Sequence, residues 1–440
     1  MSFRKKVSTL KVPHHKNTAG MPSVRVSPPK EVLLPMNMHS GKAAVPVVSP
    51  GDSVRIGQLI AREDGNISSP VHATVSGTVK AIEPYGRTLA IRIESDGKME
   101  KDPAIAPPEV HDLDSFLSAL RASGIVGLGG AAFPLWAKLD AVRKNDIETM
   151  VINGAECEPY ITSDHRTMLE KSDLIVKGVE YLKTYVHPKR FVIGIEDNKP
   201  DAIAEMKRVF ADDPSVEVLS LECLYPQGAK QVLVYNATGK VAAEGQRLAA
   251  LGVLIINITT LSKMAQYLTD GMPLVERCVT VDGSAVSQPK NIIVPIGTPA
   301  SYLFEQAGGL KCAPGKVIIG GPMMGKAVDN IDSPVVKACS AVLAFDEKDA
   351  KALDPTACIR CGRCVSYCPI HLDPTSYAHA MELEDEDEKY KQLMDHKLKL
   401  CIECGCCSFV CPAHRPLMQI NRDAKGFLRQ YQNAKKEGVK

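Results

Sequence analysis

Apolar and polar positions follow several rhythms along the chain, and each rhythm predicts a different unit. From 31 to 105, short apolar runs such as VRIGQLIA, TVSGTVKAI and TLAIRIE are separated by Gly51-Asp52, Gly57, Gly65, Ser76-Gly77 and Gly86. Short runs between turn residues predict strands. LDSFLSALRA, residues 113–122, has helical spacing, with Asp112 as its N-cap. From 148 to about 270, TMVINGA, RFVIGIED, VEVLSLE and GVLIINI alternate with DLIVKGVEYLKTYV, PDAIAEMKRVF, KQVLVYNATG and LSKMAQYLTDG. Strands alternating with helices predict an α/β layer on a mostly parallel sheet. From 278 to about 330, CVTVDG, SQPKNIIVPIG and PASYLFEQAGG predict a hairpin and one helix, a small α+β unit, and VIIGGPMMG a short strand ending in a glycine turn. Beyond about 350 the chain reads as helical and cysteine-rich, with the acidic stretch Glu382 to Glu388 as a solvated helix face.

With 440 residues, several domains are expected. A hydrophobic share of 45% and a charged share of 24% fit a globular protein. A net charge of +2, with only 5% aromatics, argues against a nucleic-acid partner. No apolar run approaches the roughly 20 residues of a membrane span. The start MSFRKKVSTLKVPHHKN is basic but lacks the apolar stretch of a signal peptide, so a reducing cytoplasm is the expected compartment.

The chemistry is plainest at the C-terminal end. CIRCGRCVSYCP places Cys358, Cys361, Cys364 and Cys368 before Pro369; CIECGCCSFVCP places Cys401, Cys404, Cys407 and Cys411 before Pro412. This is the C-x2-C-x2-C-x3-C-P spacing of two-cluster ferredoxins, written twice. Three closely spaced thiolates wrap a cubane, and the fourth ligates the other cluster. One 4Fe–4S cluster is therefore assigned to Cys358, Cys361, Cys364 and Cys411, and the other to Cys401, Cys404, Cys407 and Cys368. Structural zinc prefers well-separated cysteine pairs, and disulfides would need an oxidising compartment. Cys406 is an extra thiol in the second run. Cys157, Cys223, Cys278, Cys312 and Cys339 are irregularly spaced and are expected to be mostly small buried residues.

Clusters carry one electron each and need a donor. In GIVGLGGAAFP, Gly127, Gly129 and Gly130 leave room for close approach of a ligand, and Lys138 adds a positive charge. Spacing alone leaves two readings open here, a phosphate-binding loop and a tight structural turn, because a helix and not a strand precedes the glycines. Downstream, ETMVINGAECEPY brings Asn153, Glu156 and Glu158 onto a loop at a strand end, where α/β sheets bind ligands. A solvated acidic loop is the alternative.

Three resemblances sharpen this reading. GDSVRIGQLI followed by GTVKAIE resembles the barrel-sandwich fold of biotinyl and lipoyl domains. Residues 58–79 hold no lysine, so no carried biotin or lipoate is expected. GLGGAAFPLWAKL, VINGAECEP, YPQGAKQVL and IINITTL, with the doubled cysteine runs, resemble the C subunit of the Rnf ion-translocating ferredoxin:NAD oxidoreductase complex. The central part is also similar to the flavin- and NADH-binding subunit of respiratory complex I. The resemblance implies an N-terminal extension (1–30), a barrel-sandwich hybrid (31–108), an α/β FMN/NADH domain (109–273), a soluble-ligand-binding β-grasp domain (274–345) and a helical, ferredoxin-like two-cluster domain (346–440). It further implies non-covalent FMN lined by Gly127, Gly129, Gly130 and Lys138. Asn153, Glu156 and Glu158 would flank flavin and nicotinamide nucleotide, and Asn257 and Thr260 would reach the flavin phosphate. NAD(H) is the implied substrate. The implied partners are membrane-embedded subunits and a ferredoxin-like subunit, with the chain peripheral on the cytoplasmic side of the cell membrane and coupled to Na+ or H+ transport. Ala132 stands where the family often has glycine, and Ala155 where complex I has aspartate. Two other functions fit the same parts: a corrinoid reductase with FMN and two clusters, and a cluster-bearing relay with no catalytic pocket.

Overall fold

A computed structural model describes residues 8–437. At its centre lies a four-stranded parallel sheet in the order Val216–Leu221, Arg190–Glu196, Thr149–Gly154, Val253–Asn257. Val253–Asn257 is buried along its whole length, and Arg190–Glu196 at all but its first residue. Such strands read as continuous apolar runs because both faces of the sheet are covered. Alternate side chains still go to opposite faces. Met150 and Ile152 join a core with Ile175 and Val179 of helix Ser172–Tyr185 and Leu261 of helix Ile258–Asp270. Val151 packs the other way, against Leu233 and Val234 of helix Lys230–Thr238. Each buried Ile, Leu or Val contributes about 1.5–3 kcal/mol. The strand–helix alternation predicted from sequence is thus observed, as is helix Leu113–Ala122, capped by Asp112.

The strand order places a topological switch point between Thr149–Gly154 and Val253–Asn257. From the first strand the chain runs outward through two neighbours, then crosses back to the other side of it. Ligands in open α/β sheets bind beyond the carboxyl ends of the strands at such a point.

Two smaller antiparallel sheets make the N-terminal unit: Glu31–Pro35, Thr88–Ser95, Gly77–Tyr85 and Ser53–Val54; then Val45–Pro46, Leu59–Arg62 and Val71–His72. The α+β unit pairs Glu276–Asp282 with Lys290–Pro295 as a hairpin and, in parallel, with Ala341–Phe345, beside helix Ala300–Gln306. It buries a core of its own, around Val279, Val281, Phe304 and Val342.

The N-terminal extension packs onto the rest of the chain: Leu10 bridges Tyr225, and Val24–Arg25 adds a parallel strand to Lys290–Pro295. Two sequence expectations change. The acidic stretch is not one helix face. Glu382 closes helix Pro374–Met381, and Asp385 caps helix Glu386–Asp395, so most of the acidic side chains fall at the start of that second helix, where the helix dipole favours them. Of the five cysteines outside the runs only Cys339 is buried, and Cys312 is exposed. Cys157 and Cys223 lie half-buried because they face polar partners, the Gly228 amide and the Asn198 side chain.

Candidate flavin and cluster site

The glycine loop closes on itself at the switch point. The Gly127 amide donates to Phe133 O at 2.8 Å, and the Ala132 amide to Gly127 O at 3.1 Å. Outside groups then fix its course. Thr260 Oγ1 accepts from the Leu128 amide at 2.9 Å, Ser40 Oγ donates to Ala131 O at 2.6 Å, and the Ser40 amide donates to Ala132 O at 2.9 Å. Buried Arg277 of the β-grasp unit directs a guanidinium N–H to Leu128 O at 3.5 Å. Ala132 holds a φ of +48°, a left-handed conformation that glycine would adopt without strain.

That scaffold leaves the consecutive amides of Gly129, Gly130 and Ala131 without partners among the described residues, all three exposed. A Cβ on Gly129 would lie 3.2 Å from the Asn257 side chain, so glycine keeps open the gap between loop and strand end. Lys138 stands beside the loop; a Cβ on Gly127 would be 3.9 Å from its Nζ. Burial, reinforced by the nearby Lys230 charge, lowers the Lys138 ammonium to about 8, and no carboxylate offsets it. Free amides next to an uncompensated cation form a cradle for a phosphate. The chemistry of the donors therefore fits a phosphate group such as that of FMN.

The neighbouring polar residues are engaged more structurally than the sequence suggests. Asn257 caps helix Ile258–Asp270 by accepting from the Thr260 amide at 3.1 Å, and its Nδ2 donates to Asp164 at 2.7 Å. Asn153 Nδ2 donates to Gly228 O at 3.0 Å. Glu156, at a φ of +50°, accepts from the amides of Asp164 and His165 at 2.5 and 3.2 Å and so caps helix Ser163–Glu170. Glu158 accepts from the amides of Met323 and Met324 at 3.0 and 2.8 Å. Burial pushes both carboxyls up to about 7. Sequence reasoning missed Lys16, Lys199, Tyr225, Asp164 and Arg277. The one available signal for Tyr225 was its place in YPQGAKQVL.

The cysteines gather around two cavities. Cys358, Cys361, Cys364 and Cys411 line one; Cys368, Cys401, Cys404 and Cys407 line the other, together with Cys406. All fourteen thiols are free. No three His, Cys, Asp or Glu side chains among the described residues converge on a single-ion point. A cubane holds its thiolates at separate corners, further apart than one ion would. The two loops repeat each other in backbone as well as sequence: Arg360 and Glu403, Gly362 and Gly405, and His371 and His414 all take positive φ. Amides of Arg360, Leu372 and Glu403 point at the sulfurs of Cys358, Cys368 and Cys401, at 3.3–3.4 Å. Such bonds to sulfur tune cluster potentials. Between the acidic loop and the second cavity the space is filled. Leu10, Val12, Tyr225, Met323, Cys404 and Cys406 pack together with Cys157 against them, and Tyr225 OH donates to Cys404 O at 2.6 Å.

Comparison with known proteins gives the same order of domains. Residues 5–98 match the RnfC barrel sandwich hybrid domain, 120–266 the Nuo51 FMN-binding domain, 278–327 the SLBB domain and 354–415 a 4Fe-4S dicluster domain. The cofactors are accordingly FMN and 4Fe–4S clusters. Among solved structures, a chain of an NAD+-reducing NiFe-hydrogenase in the H2-reduced state shares the fold, with a TM-score of 0.50 at 16% identity over 74% of this chain and 63% of that one. The C subunit of a Na(+)-translocating ferredoxin:NAD(+) oxidoreductase complex from Acetobacterium woodii is 40% identical over 370 residues, 82% of this chain and 84% of that protein. Its proton-translocating counterpart from Clostridium ljungdahlii is 39% identical over 86% of this chain and 85% of its own length. The C subunit of an ion-translocating oxidoreductase complex from Pectobacterium atrosepticum is 38% identical over 93% of this chain, which spans 60% of that relative. The chain belongs to the family of C subunits of ion-translocating ferredoxin:NAD(+) oxidoreductase complexes.

Proposed function

We propose that this protein passes electrons between NAD(H), FMN and two 4Fe–4S clusters, and that its partners couple the transfer to Na+ or H+ movement. The observation that carries this reading is the chain of contacts from the glycine loop, where the Leu128 amide meets Thr260, through Asn257, Asp164 and Glu156 of the acidic loop, to the cluster of Cys157, Tyr225 and Cys404 beside the cavity lined by Cys401, Cys404, Cys407 and Cys368. When bound, FMN supplies the exchange between a two-electron hydride and one-electron carriers. The protein's own part is to position and to shield.

Gly129, Gly130, Ala131 and Lys138 would hold the phosphate, while Thr260, Ser40 and Arg277 keep the loop from relaxing. Asn153, Glu156 and Glu158 would border the nucleotide, with Asn257 behind the loop. Cys358, Cys361, Cys364 and Cys411 are the proposed ligands of one cluster, and Cys368, Cys401, Cys404 and Cys407 of the other. Tyr225 fixes the second cysteine loop against the α/β unit. Cys406, fully buried beside these ligands, is packing and not a ligand in this reading. No helix among the described residues is long and apolar enough to cross a membrane. The proposed placement is peripheral, on the cytoplasmic face, held there by membrane-embedded partners and a ferredoxin-like subunit.

Anaerobic turnover of the holoprotein with NADH and a one-electron dye tests this. FMN-dependent NADH oxidation supports the reading. A protein with FMN and clusters in place that ignores NADH contradicts it and leaves the relay function.

A further inference from the structure

The acidic loop is gripped from outside the α/β unit by one lysine. Lys16 Nζ donates to three of its carbonyls: Glu156 O at 2.8 Å, Glu158 O at 2.9 Å and Ile161 O at 2.6 Å. An ammonium has three donors, and all three are used on this one loop. Lys16 is anchored in turn. The Leu10 and Tyr225 amides exchange bonds with each other's carbonyls at 2.8 Å, and the Tyr160 amide donates to His14 O at 2.9 Å. The His15 ring stacks on Tyr160 at 4.8 Å, and Thr18 Oγ1 meets Thr162 Oγ1 at 2.5 Å. Residues 10–18 therefore run over the loop as a strap.

The loop needs such a grip. Glu156 and Tyr160 both take left-handed backbone, φ +50° and +68°, which costs a non-glycine residue free energy and persists only where surroundings over-determine it. From inside, Lys199 Nζ donates to Ala155 O at 2.7 Å, held by the buried Glu196 carboxylate at 3.2 Å. The loop is thus fixed between two lysines of different origin. Of the two, Lys16 is the one that reaches the stretch carrying both glutamates.

We infer that Lys16 is a positioning residue for the nicotinamide-nucleotide side of the site: through three backbone carbonyls it sets the conformation in which the Glu156–Ile161 loop meets the nucleotide. The inference rests on the NAD(H) reading above. Its expected signature is a loss of nucleotide affinity that leaves FMN and the clusters in place, since the Lys16 ammonium bonds to neither the glycine loop nor the cysteine loops.

The test uses holoprotein carrying Lys16→Met, with FMN and iron content measured first. Relative to wild type, KM for NADH and Kd for NAD+ should each rise about tenfold, with kcat toward a dye falling less than about threefold. An unchanged KM overturns the inference, as does a fall in FMN content matching the fall in activity. If the variant does not assemble, hydrogen exchange on wild-type holoprotein decides. Amides of 156–161 and of the strap should open as one unit and both slow when NAD+ is added; a strap that exchanges independently of the loop overturns the inference. Wild-type protein that does not respond to NADH at all would instead sink the function proposed above, and the two failures are distinguishable.

Discussion

Lys138 offers the sharpest quantitative test of the FMN cradle. In the FMN-free protein, burial and the Lys230 charge hold its ammonium at about 8 against an ordinary 10.5. A lysine whose folded value is depressed costs stability below that value, and the cost is relieved as pH rises. Here it amounts to about 3 kcal/mol below pH 8, vanishing toward pH 10.5. An arriving phosphate reverses the balance, because it requires the charged form. Below pH 8 the ammonium is already present and FMN affinity should be flat. Above pH 8 binding must take up a proton, and Kd should rise about tenfold per pH unit. At pH 7, Lys138→Met removes a charge-assisted hydrogen bond worth about 1.5–3 kcal/mol, so Kd should rise about 10- to 150-fold. The variant should also lose the dependence above pH 8. Quenching of FMN fluorescence on the FMN-depleted protein, from pH 6.5 to 9.5, measures both. A Lys138→Met Kd within threefold of wild type, or a wild-type Kd that stays flat up to pH 9.5, would show that the Lys138 ammonium does not hold the phosphate.

Further consequences concern the cluster loops. Cys411→Ser should abolish the same electron paramagnetic resonance signal as Cys361→Ser, and Cys368→Ser the same one as Cys404→Ser; pairing within each run would reject the exchange of fourth ligands. Gly405→Ala places a Cβ 2.8 Å from Met323 O at a φ of +79°, so it should cost about 1–3 kcal/mol in thermal unfolding and lower the iron content. Tyr225→Phe strands the Cys404 carbonyl without its 2.6 Å partner and should cost about 1–3 kcal/mol, while FMN binding stays near wild type.

What the sequence revealed was what short-range chemistry dictates. Strands such as VLIIN are apolar throughout because both sheet faces are covered, and helices flanking the sheet in sequence carry their own caps or terminal glycines, as at Asp112 and Gly271. The cysteine runs are legible because three ligands of one cluster lie within a few residues. The strap was not legible. Lys16 and His14 are isolated polar residues in a segment without periodicity, and their partners lie about 140 residues or more away. Glu156 and Glu158 looked like free ligands because nothing local reveals that their oxygens are spent on the backbone amides of Asp164, His165, Met323 and Met324. Arg277 was hidden in an ordinary strand pattern, ERCVTVD, where only the fold turns it toward Leu128.

The central claim is one electron path from NAD(H) through FMN to the clusters. It is met most directly by anaerobic titration of the holoprotein with NADH, followed by visible absorbance. The flavin band should bleach, and the broad cluster absorbance should then fall. With FMN bound and clusters intact, a spectrum that does not change would contradict that path.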